Sequence, residues 1–465
     1  MRNLNILLLF FLVILLSGFH IESKSTTGDR VLVLLDKEAD KILYKKFFAT
    51  LEKENKLSYK LPTDSSLDLF EFGERKYDHV INFAPKTKKY VDKVNPLSLI
   101  KFMNSGGNII LATTSKTSEN IRDFVREFDI EIDDKDTFVI DHFNYDISDE
   151  GKHTLVIIDN NKGNSDDSIT NNPAILSKKV IEGSPILFRG IGHKVGSSPL
   201  LAKILWGRNT SYSYEVRGED QKSIVDQEPF ISGNNIGLVT ALQARNNARI
   251  TLVGSLDFFS DRFFDSPVHN VITSEKFPKS GNEDFAIDLV KWTFQKKGVI
   301  KVTSRQHHKE GETEQLETYR IKDNITYTIE ISEYANDQWQ AFNGTDVQFE
   351  AIMLDPYIRK TLTPLPVTSS PDSESRKFIT NIQLPDVYGV FTFRVNYKRP
   401  GYTYIDDKSV VAIRPFRHNE YPRFISAAYP YYTVTASMIV AFLTFSTVWI
   451  FNEDSSIKNK MKKTN

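Results

Sequence analysis

From Tyr431 to Phe451 the chain runs for twenty-one residues without a charge. Wound as an α-helix at ~1.5 Å per residue, this stretch is ~31 Å long and matches the hydrocarbon core of a bilayer. Aromatic residues stand at both rims, Tyr429, Tyr431 and Tyr432 on one side and Trp449 and Phe451 on the other, as interfacial belts require. A helix buried in a soluble core is the competing reading. Fourteen residues follow, with Lys458, Lys460, Lys462 and Lys463 against Glu453 and Asp454, so the tail carries the basic excess of a cytosolic flank. The span is therefore expected at 431–451, with a cytosolic tail at 452–465 and the bulk of the chain lumenal or extracellular.

The other terminus supports this topology. Met1-Arg2-Asn3 precedes an apolar run from Ile6 to Leu16, followed by the small residues Ser17, Gly18 and Ser23. Eleven apolar residues make only ~17 Å of helix, too short to span, so residues 1–23 read as a signal peptide, with an uncleaved anchor as the alternative. No Ala-x-Ala marks the cleavage point. Lys462 and Lys463 lie four and three places from the C-terminus, a spacing similar to the dilysine signal by which coat proteins retrieve type I proteins to the endoplasmic reticulum.

Composition narrows the chemistry. At ~150 residues per domain, 465 residues suggest a modular chain, and 40% apolar residues with Phe 32 and Tyr 19 suffice for real cores. Lys plus Arg 59 against Asp plus Glu 60 leaves a net charge of −1, no field for holding a nucleic acid backbone. The absence of cysteine removes disulfides, thiolate metal sites and every cysteine nucleophile together.

Two kinds of structure are expected in the lumenal part. Across 24–298, apolar runs such as Val31–Leu35, His79–Phe83 and Asn108–Ala112 alternate with helical stretches, the pattern of a doubly wound α/β sheet. Further strands are expected over 154–158, 236–242 and 248–254, and a closing helix from about Glu283 to Lys297. Across 299–416 the period becomes two, as in Thr326–Ile331, Val347–Ile352 and Val390–Val395, with turns such as Asn343-Gly344 between strands. About seven strands in ~115 residues suggest a membrane-proximal β-sandwich, with Thr363–Ser375 a long exposed loop and 417–430 a juxtamembrane segment.

Short motifs point to no catalyst. Gly190-Ile-Gly192-His-Lys-Val-Gly196 is one residue too long for a pyrophosphate turn. Asp134-Lys-Asp136 has a spacing that glycosyltransferases use for a metal-bound nucleotide sugar, but acidic loops produce it often. Asp141, His142, Asp146 and Asp149 could surround a cation, although turn hydrogen bonding by Asp and Asn explains them more simply. Neither a cofactor nor a metal is expected. Three sequons, at Asn209, Asn324 and Asn343, are candidate N-glycosylation sites on the lumenal side.

Longer strings do carry a resemblance. Ile140–Asp149, Pro185–Gly190, Leu242–Ile250 with Gly254–Asp261, Leu384–Phe391 and Ala428–Tyr432 are similar, in order and across nearly the whole chain, to the 48 kDa subunit family of the eukaryotic oligosaccharyltransferase. The resemblance implies a glutamine-amidotransferase-like α/β domain, β structure and one transmembrane helix. It implies a non-catalytic subunit of the complex that transfers an oligosaccharide from dolichyl diphosphate to Asn-x-Ser/Thr. The implied partners are a multi-span catalytic subunit, ribophorin-like and small membrane subunits. The family supplies no catalytic residues. Recognition of the dolichol-linked oligosaccharide is open to the α/β domain, where strand ends bind ligands, and Asp36, Asp141 and Arg189 are the candidates. A single-span lumenal glycan-modifying enzyme and a lectin or cargo receptor stay as alternatives.

Overall fold

The computed structural model describes residues 26–452 apart from 150, 160–167, 216–227, 273–274, 336, 367–373 and 422–425. The expected signal peptide and the tail lysines Lys462 and Lys463 lie outside the described residues.

The α/β region is built on β1 (Arg30–Leu35), β2 (Lys56–Lys60), β3 (His79–Phe83), β4 (Asn108–Ala112), β5 (Ile130–Ile132), β6 (His193–Val195), β7 (Leu201–Trp206), β8 (Ile236–Gln243) and β9 (Arg249–Val253). They form one sheet in the order β2-β1-β3-β4-β9-β8-β6-β5, with β7 also paired to β8. From β2 to β9 neighbouring strands run parallel. Beyond β9 every pairing is antiparallel. The doubly wound expectation therefore describes half of the sheet, and the other half is an antiparallel extension of its edge.

Alternation along the parallel strands explains why both faces need helices. Val31, Val33 and Leu35 of β1 join the core shared with Phe47 and Phe48 of α1 (Lys45–Glu52) and Phe285 and Leu289 of α4 (Asn282–Thr293). Leu32 and Leu34 point the other way, to Leu99 and Phe102 of α2 (Pro96–Asn104) and Ile121 and Phe124 of α3 (Glu119–Arg126). A strand buried on both faces must be apolar at each buried position, and β1 is so from Val31 to Leu35, with Arg30 exposed at its start. The start of α2 is fixed by Pro96 at its first position and by Asn95, whose Oδ1 accepts the Ser98 N–H at 2.8 Å. Helix α4 stops at Thr293, short of Lys297, because Gln295 turns into the left-handed region at φ 57°.

The second region contains ten strands among the described residues. They are β10 (Val299–Lys309), β11 (Thr318–Arg320), β12 (Asn324–Ala335), β13 (Gln338–Ala341), β14 (Gln348–Met353), β15 (Asp355–Thr361), β16 (Thr363–Pro364), β17 (Arg376–Gln383), β18 (Gly389–Tyr397) and β19 (Ile405–Arg414). One five-stranded sheet follows β10-β12-β17-β16 with β13 on β12, and the other follows β11-β19-β18-β14-β15. Ile325, Tyr327 and Ile329 from the first share a core with Phe349, Phe391, Phe393 and Val411 from the second. Period two survives here because each sheet wets its outer face. Asn343-Gly344 is not a hairpin turn: it lies between β13 and β14, which belong to different sheets. Thr363 and Pro364, expected in a loop, pair with Ile379 and Phe378.

The two regions meet at Arg249, which is fully buried. Its guanidinium donates to the carbonyls of Trp292 (2.6 Å), Lys297 (2.8 Å), Gly298 (2.7 Å) and Gly401 (3.4 Å) and to Gln243 Oε1 (3.2 Å). Trp292 Nε1 and Gln243 Nε2 donate to Gly401 O and Tyr402 O, so the loop between β18 and β19 is clamped onto the α/β region. Beyond β19, α5 (Tyr429–Phe451) continues an apolar stretch, Ser426–Phe451, of mean hydropathy 1.9, long and apolar enough to cross a membrane.

Candidate functional site

In the parallel half the chain order reverses between β1 and β3, and at such a point the loops after the two strands diverge and leave a crevice. Asp36, the first residue after β1, sits there. Its carboxylate accepts the Thr87 hydroxyl at 2.7 Å and the Lys86 N–H at 3.3 Å, tying the β1 loop to the β3 loop. Beside it a cleft of about 470 Å³ lies over the ends of β4 and β9, lined by Lys86, Ser115, Lys116, Lys152, Thr154, Arg189 and Asp257 among others.

Arg189 enters this cleft from the end of Ile186–Phe188 and is ion-paired there with Asp257. Its Nε and Nη2 donate to Asp257 Oδ2 at 3.0 and 2.6 Å, and its guanidinium lies 5.8 Å from the Phe263 ring centre. Ser255 Oγ donates to Arg189 O at 2.6 Å and fixes the backbone beneath. The remaining cations are different. Among the described residues no carboxylate lies within ion-pair distance of Lys86, Lys116 or Lys152. The cleft is thus a polar hollow with a positive excess, suited chemically to an anion bearing several oxygens.

Asp141 is placed elsewhere in function. It is fully buried, and its carboxylate accepts the N–H groups of Phe143 (2.8 Å) and Asn144 (3.0 Å) and the hydroxyls of Thr210 (2.8 Å) and Ser211 (3.0 Å). With its oxygens occupied in this way it organises a loop and is not among the residues lining the cleft. Asp146 and Asp149 behave alike. Asp146 accepts from Ser148 and from His269 N–H, and Asp149 from Thr154. Of the three sequence candidates, the structure brings Asp36 and Arg189 to the same end of the sheet and leaves Asp141 in the framework.

Other motifs dissolve into packing. A Cβ on Gly190 would stand 2.1 Å from Gly254 O, and one on Gly196 2.0 Å from the Asp129 carboxylate, so these glycines admit neighbouring chain and not a phosphate. Lys135 of the Asp134-Lys-Asp136 triplet pairs with Glu119 at 2.6 Å, and Asp136 N–H donates to Ser115 O at 2.9 Å. Among the described residues no group of three His, Asp or Glu is placed to hold a metal. Asn209, Asn324 and Asn343 are all exposed. Sequence reasoning missed Lys86, Lys116, Lys152 and Asp257. Their one local signal is position, each of Lys86, Lys116 and Asp257 falling three or four residues after a strand of the parallel half.

Comparison with known proteins decides the family. Residues 22–296 match the family described as OST48, N-terminal domain, and residues 307–453 match the OST48 middle domain. The chain belongs to the OST48 family. Relatives named as the dolichyl-diphosphooligosaccharide–protein glycosyltransferase 48 kDa subunit cover it almost end to end. The Arabidopsis thaliana protein is 36% identical over 97% of this chain and 99% of its own. The Drosophila melanogaster protein is 35% identical over 97% and 98%. That of Caenorhabditis elegans is 37% identical over 95% and 94%. A solved structure described as a putative ThuA-like protein of Parabacteroides merdae aligns with 57% of this chain and 90% of its own at 10% identity and a TM-score of 0.26. The first OST48 match ends and the second begins on either side of the Lys297–Gly298 joint, where Arg249 clamps the two regions.

Proposed function

We propose that this chain serves protein N-glycosylation as an accessory subunit of the oligosaccharyltransferase, by assembling with its membrane subunits and by recognising the dolichol-linked donor. The observation that carries the role is the match to both OST48 segments in order, with relatives 35–37% identical over nearly their full lengths. The glycan-modifying enzyme and the lectin or cargo receptor find no support among these relatives.

Chemistry is assigned to a separate multi-span subunit, with ribophorin-like and small membrane subunits as neighbours. This chain, although the family resemblance implies an amidotransferase-like α/β region, has no cysteine to act as that enzyme class's nucleophile. We read the protein as a single-pass type I protein of the endoplasmic reticulum membrane, with a signal peptide at 1–23, α/β region at 24–298, β-sandwich at 299–416, and a cytosolic tail whose Lys462 and Lys463 meet coat proteins. Donor recognition is supported by the cleft: Lys86, Lys116 and Lys152 are the charge complement of a diphosphate, and Asp36 holds together the two loops beside them.

Depletion tests the role. Sequon occupancy on many secreted glycoproteins should fall while the glycans that remain keep their structure, and mass spectrometry showing full occupancy with altered glycans would refute it. For the cleft, Lys116→Gln with Lys152→Gln should raise the complex's KM for the dolichol-linked donor and leave that for acceptor peptide unchanged. An unchanged donor KM removes donor recognition while the accessory role stands.

A further inference from the structure

The end of the strand-rich region opposite the Arg249 clamp carries large apolar side chains at its surface. Leu354 turns the hairpin between β14 and β15 and is 99% exposed, in the left-handed region at φ 66° that a branched side chain seldom adopts. Tyr388, Val390 and Val410 are each more than 60% exposed. Strand register joins them into one patch. Ile352 pairs with Thr392, Thr392 with Val410, and Val390 with Ala412. A Cβ on Gly389 would lie 2.5 Å from the Met353 sulfur, so the Met353–Leu354 tip abuts Gly389 and, next to it, Tyr388.

Topology fixes where this patch sits. Strand β19 starts beside the clamp at Ile405 and ends at Arg414, one residue past the Gly389–Ile413 pair. The chain then folds back on this end. Arg414 donates to both carboxylate oxygens of Glu420 at 2.7 Å, the Arg320 guanidinium lies 5.2 Å from the Phe416 ring centre, and Phe416 packs 5.4 Å from Tyr421. Only five residue steps separate Tyr421 from Ser426, where the apolar stretch begins, at most ~18 Å of chain. Strands in a sheet are ~4.8 Å apart, so β14, two strands from β19, brings the Leu354 tip within ~10 Å laterally of Arg414. The patch is therefore tethered close to the point where the chain meets the bilayer.

We propose that this end of the strand-rich region seats on the lipid surface, with Leu354 entering the boundary between headgroups and acyl chains and Tyr388 at headgroup level. A lipid surface fits better than a protein partner because the short tether delivers the patch to the interface whatever else is bound. Leu354 also projects from the patch at a hairpin tip, and Tyr388 has the apolar body and polar end that interfaces select. Asp386 is paired with Lys322 at 2.8 Å, so no anionic lipid is needed and phosphatidylcholine suffices. The inference rests on α5 crossing the membrane.

The chain lacks cysteine, so single cysteines place single spin labels. Full-length chain in phosphatidylcholine nanodiscs would carry a nitroxide at Leu354→Cys, at Met438→Cys in mid-helix, or at exposed Lys53→Cys in the α/β region as the aqueous reference. Collisions with a water-soluble nickel chelate should be several-fold rarer at 354 than at 53, with oxygen collisions between those at 53 and 438. Nickel accessibility at 354 equal to that at 53, with 438 deep in lipid, overturns the proposal alone. An aqueous signal at 438 overturns it together with the membrane reading. In the assembled complex, a label at 354 shielded from nickel and oxygen alike would mean that protein covers the tip, and this also refutes lipid seating.

Discussion

Replacing Arg249 by methionine should uncouple the two regions. The side chain is fully buried and burial draws its pKa down to about 9, which leaves the guanidinium charged at neutral pH. A buried polar atom that loses its partner costs ~1–3 kcal/mol, but three of the four carbonyls involved keep another donor. Trp292 O retains Gln295 N–H, Gly298 O retains Thr403 N–H, and Gly401 O retains Trp292 Nε1. The low end of the range thus applies at these three, while Lys297 O and Gln243 Oε1 lose more. Removing a desolvated charge returns part of the loss, and the net for Arg249→Met is ~4 kcal/mol. Arg249→Lys keeps the charge and reaches one or two carbonyls without the planar fork, for a loss of ~2 kcal/mol. Urea unfolding of the full chain in detergent, followed through tryptophan emission, reads both values, since Trp292 stands in the clamp. Because the bonds reach the β18–β19 loop, the methionine variant should also unfold in two steps. A loss below ~1 kcal/mol, or one unbroken transition at the wild-type midpoint, would refute the view that Arg249 joins the regions.

The other predictions test separate claims. His79 is wholly buried as a neutral ring, donating from Nε2 to Gly28 O and accepting at Nδ1 from Asn108, and burial pulls its pKa down to about 3. Its folded value lies below its unfolded one, so it takes stability away as pH falls from ~6.5 toward 3, ~2 kcal/mol by pH 5, and the drop in urea midpoint between pH 7 and pH 5 should shrink in His79→Gln. Gly190→Ala should cost ~2 kcal/mol by pressing on Gly254 O, and a wild-type melting temperature would contradict the packing role given to this glycine. In a tail-swapped reporter without other retention contacts, Lys462→Ser with Lys463→Ser should allow passage to the Golgi, read as endoglycosidase H resistance. Continued sensitivity would remove the retrieval signal.

Legibility of the fold follows how local its causes are. The runs at β1, β3 and β4 are buried on both faces, so their apolar continuity was visible in sequence, as was their alternation with helical stretches. Strands β8 and β9 were visible as strands, but not that β9 is parallel to β4 and antiparallel to β8, because direction depends on which edges pair and not on composition. In the second region the alternation was plain. The count was low because Thr318–Arg320, Gln338–Ala341 and Thr363–Pro364 are too short to show a period.

The candidate site divides along the same line. Asp36 and Arg189 could be chosen because each follows an apolar strand, and strand ends in a parallel sheet are where ligands gather, although the strand before Arg189, Ile186–Phe188, pairs antiparallel with Val156–Ile158 outside that sheet. Asp141 satisfied the same rule and fell outside the site, because Thr210 and Ser211, some seventy residues on, return to its carboxylate. Arg189 in turn has its charge met by Asp257, sixty-eight residues away. A strand-end side chain is thus free for a ligand only if no distant segment comes back to claim it, a property of the closed fold. Lys86, Lys116 and Lys152 meet that condition among the described residues while looking in sequence like ordinary surface lysines, so the cleft's charge rests on the residues the strand-end rule passed over.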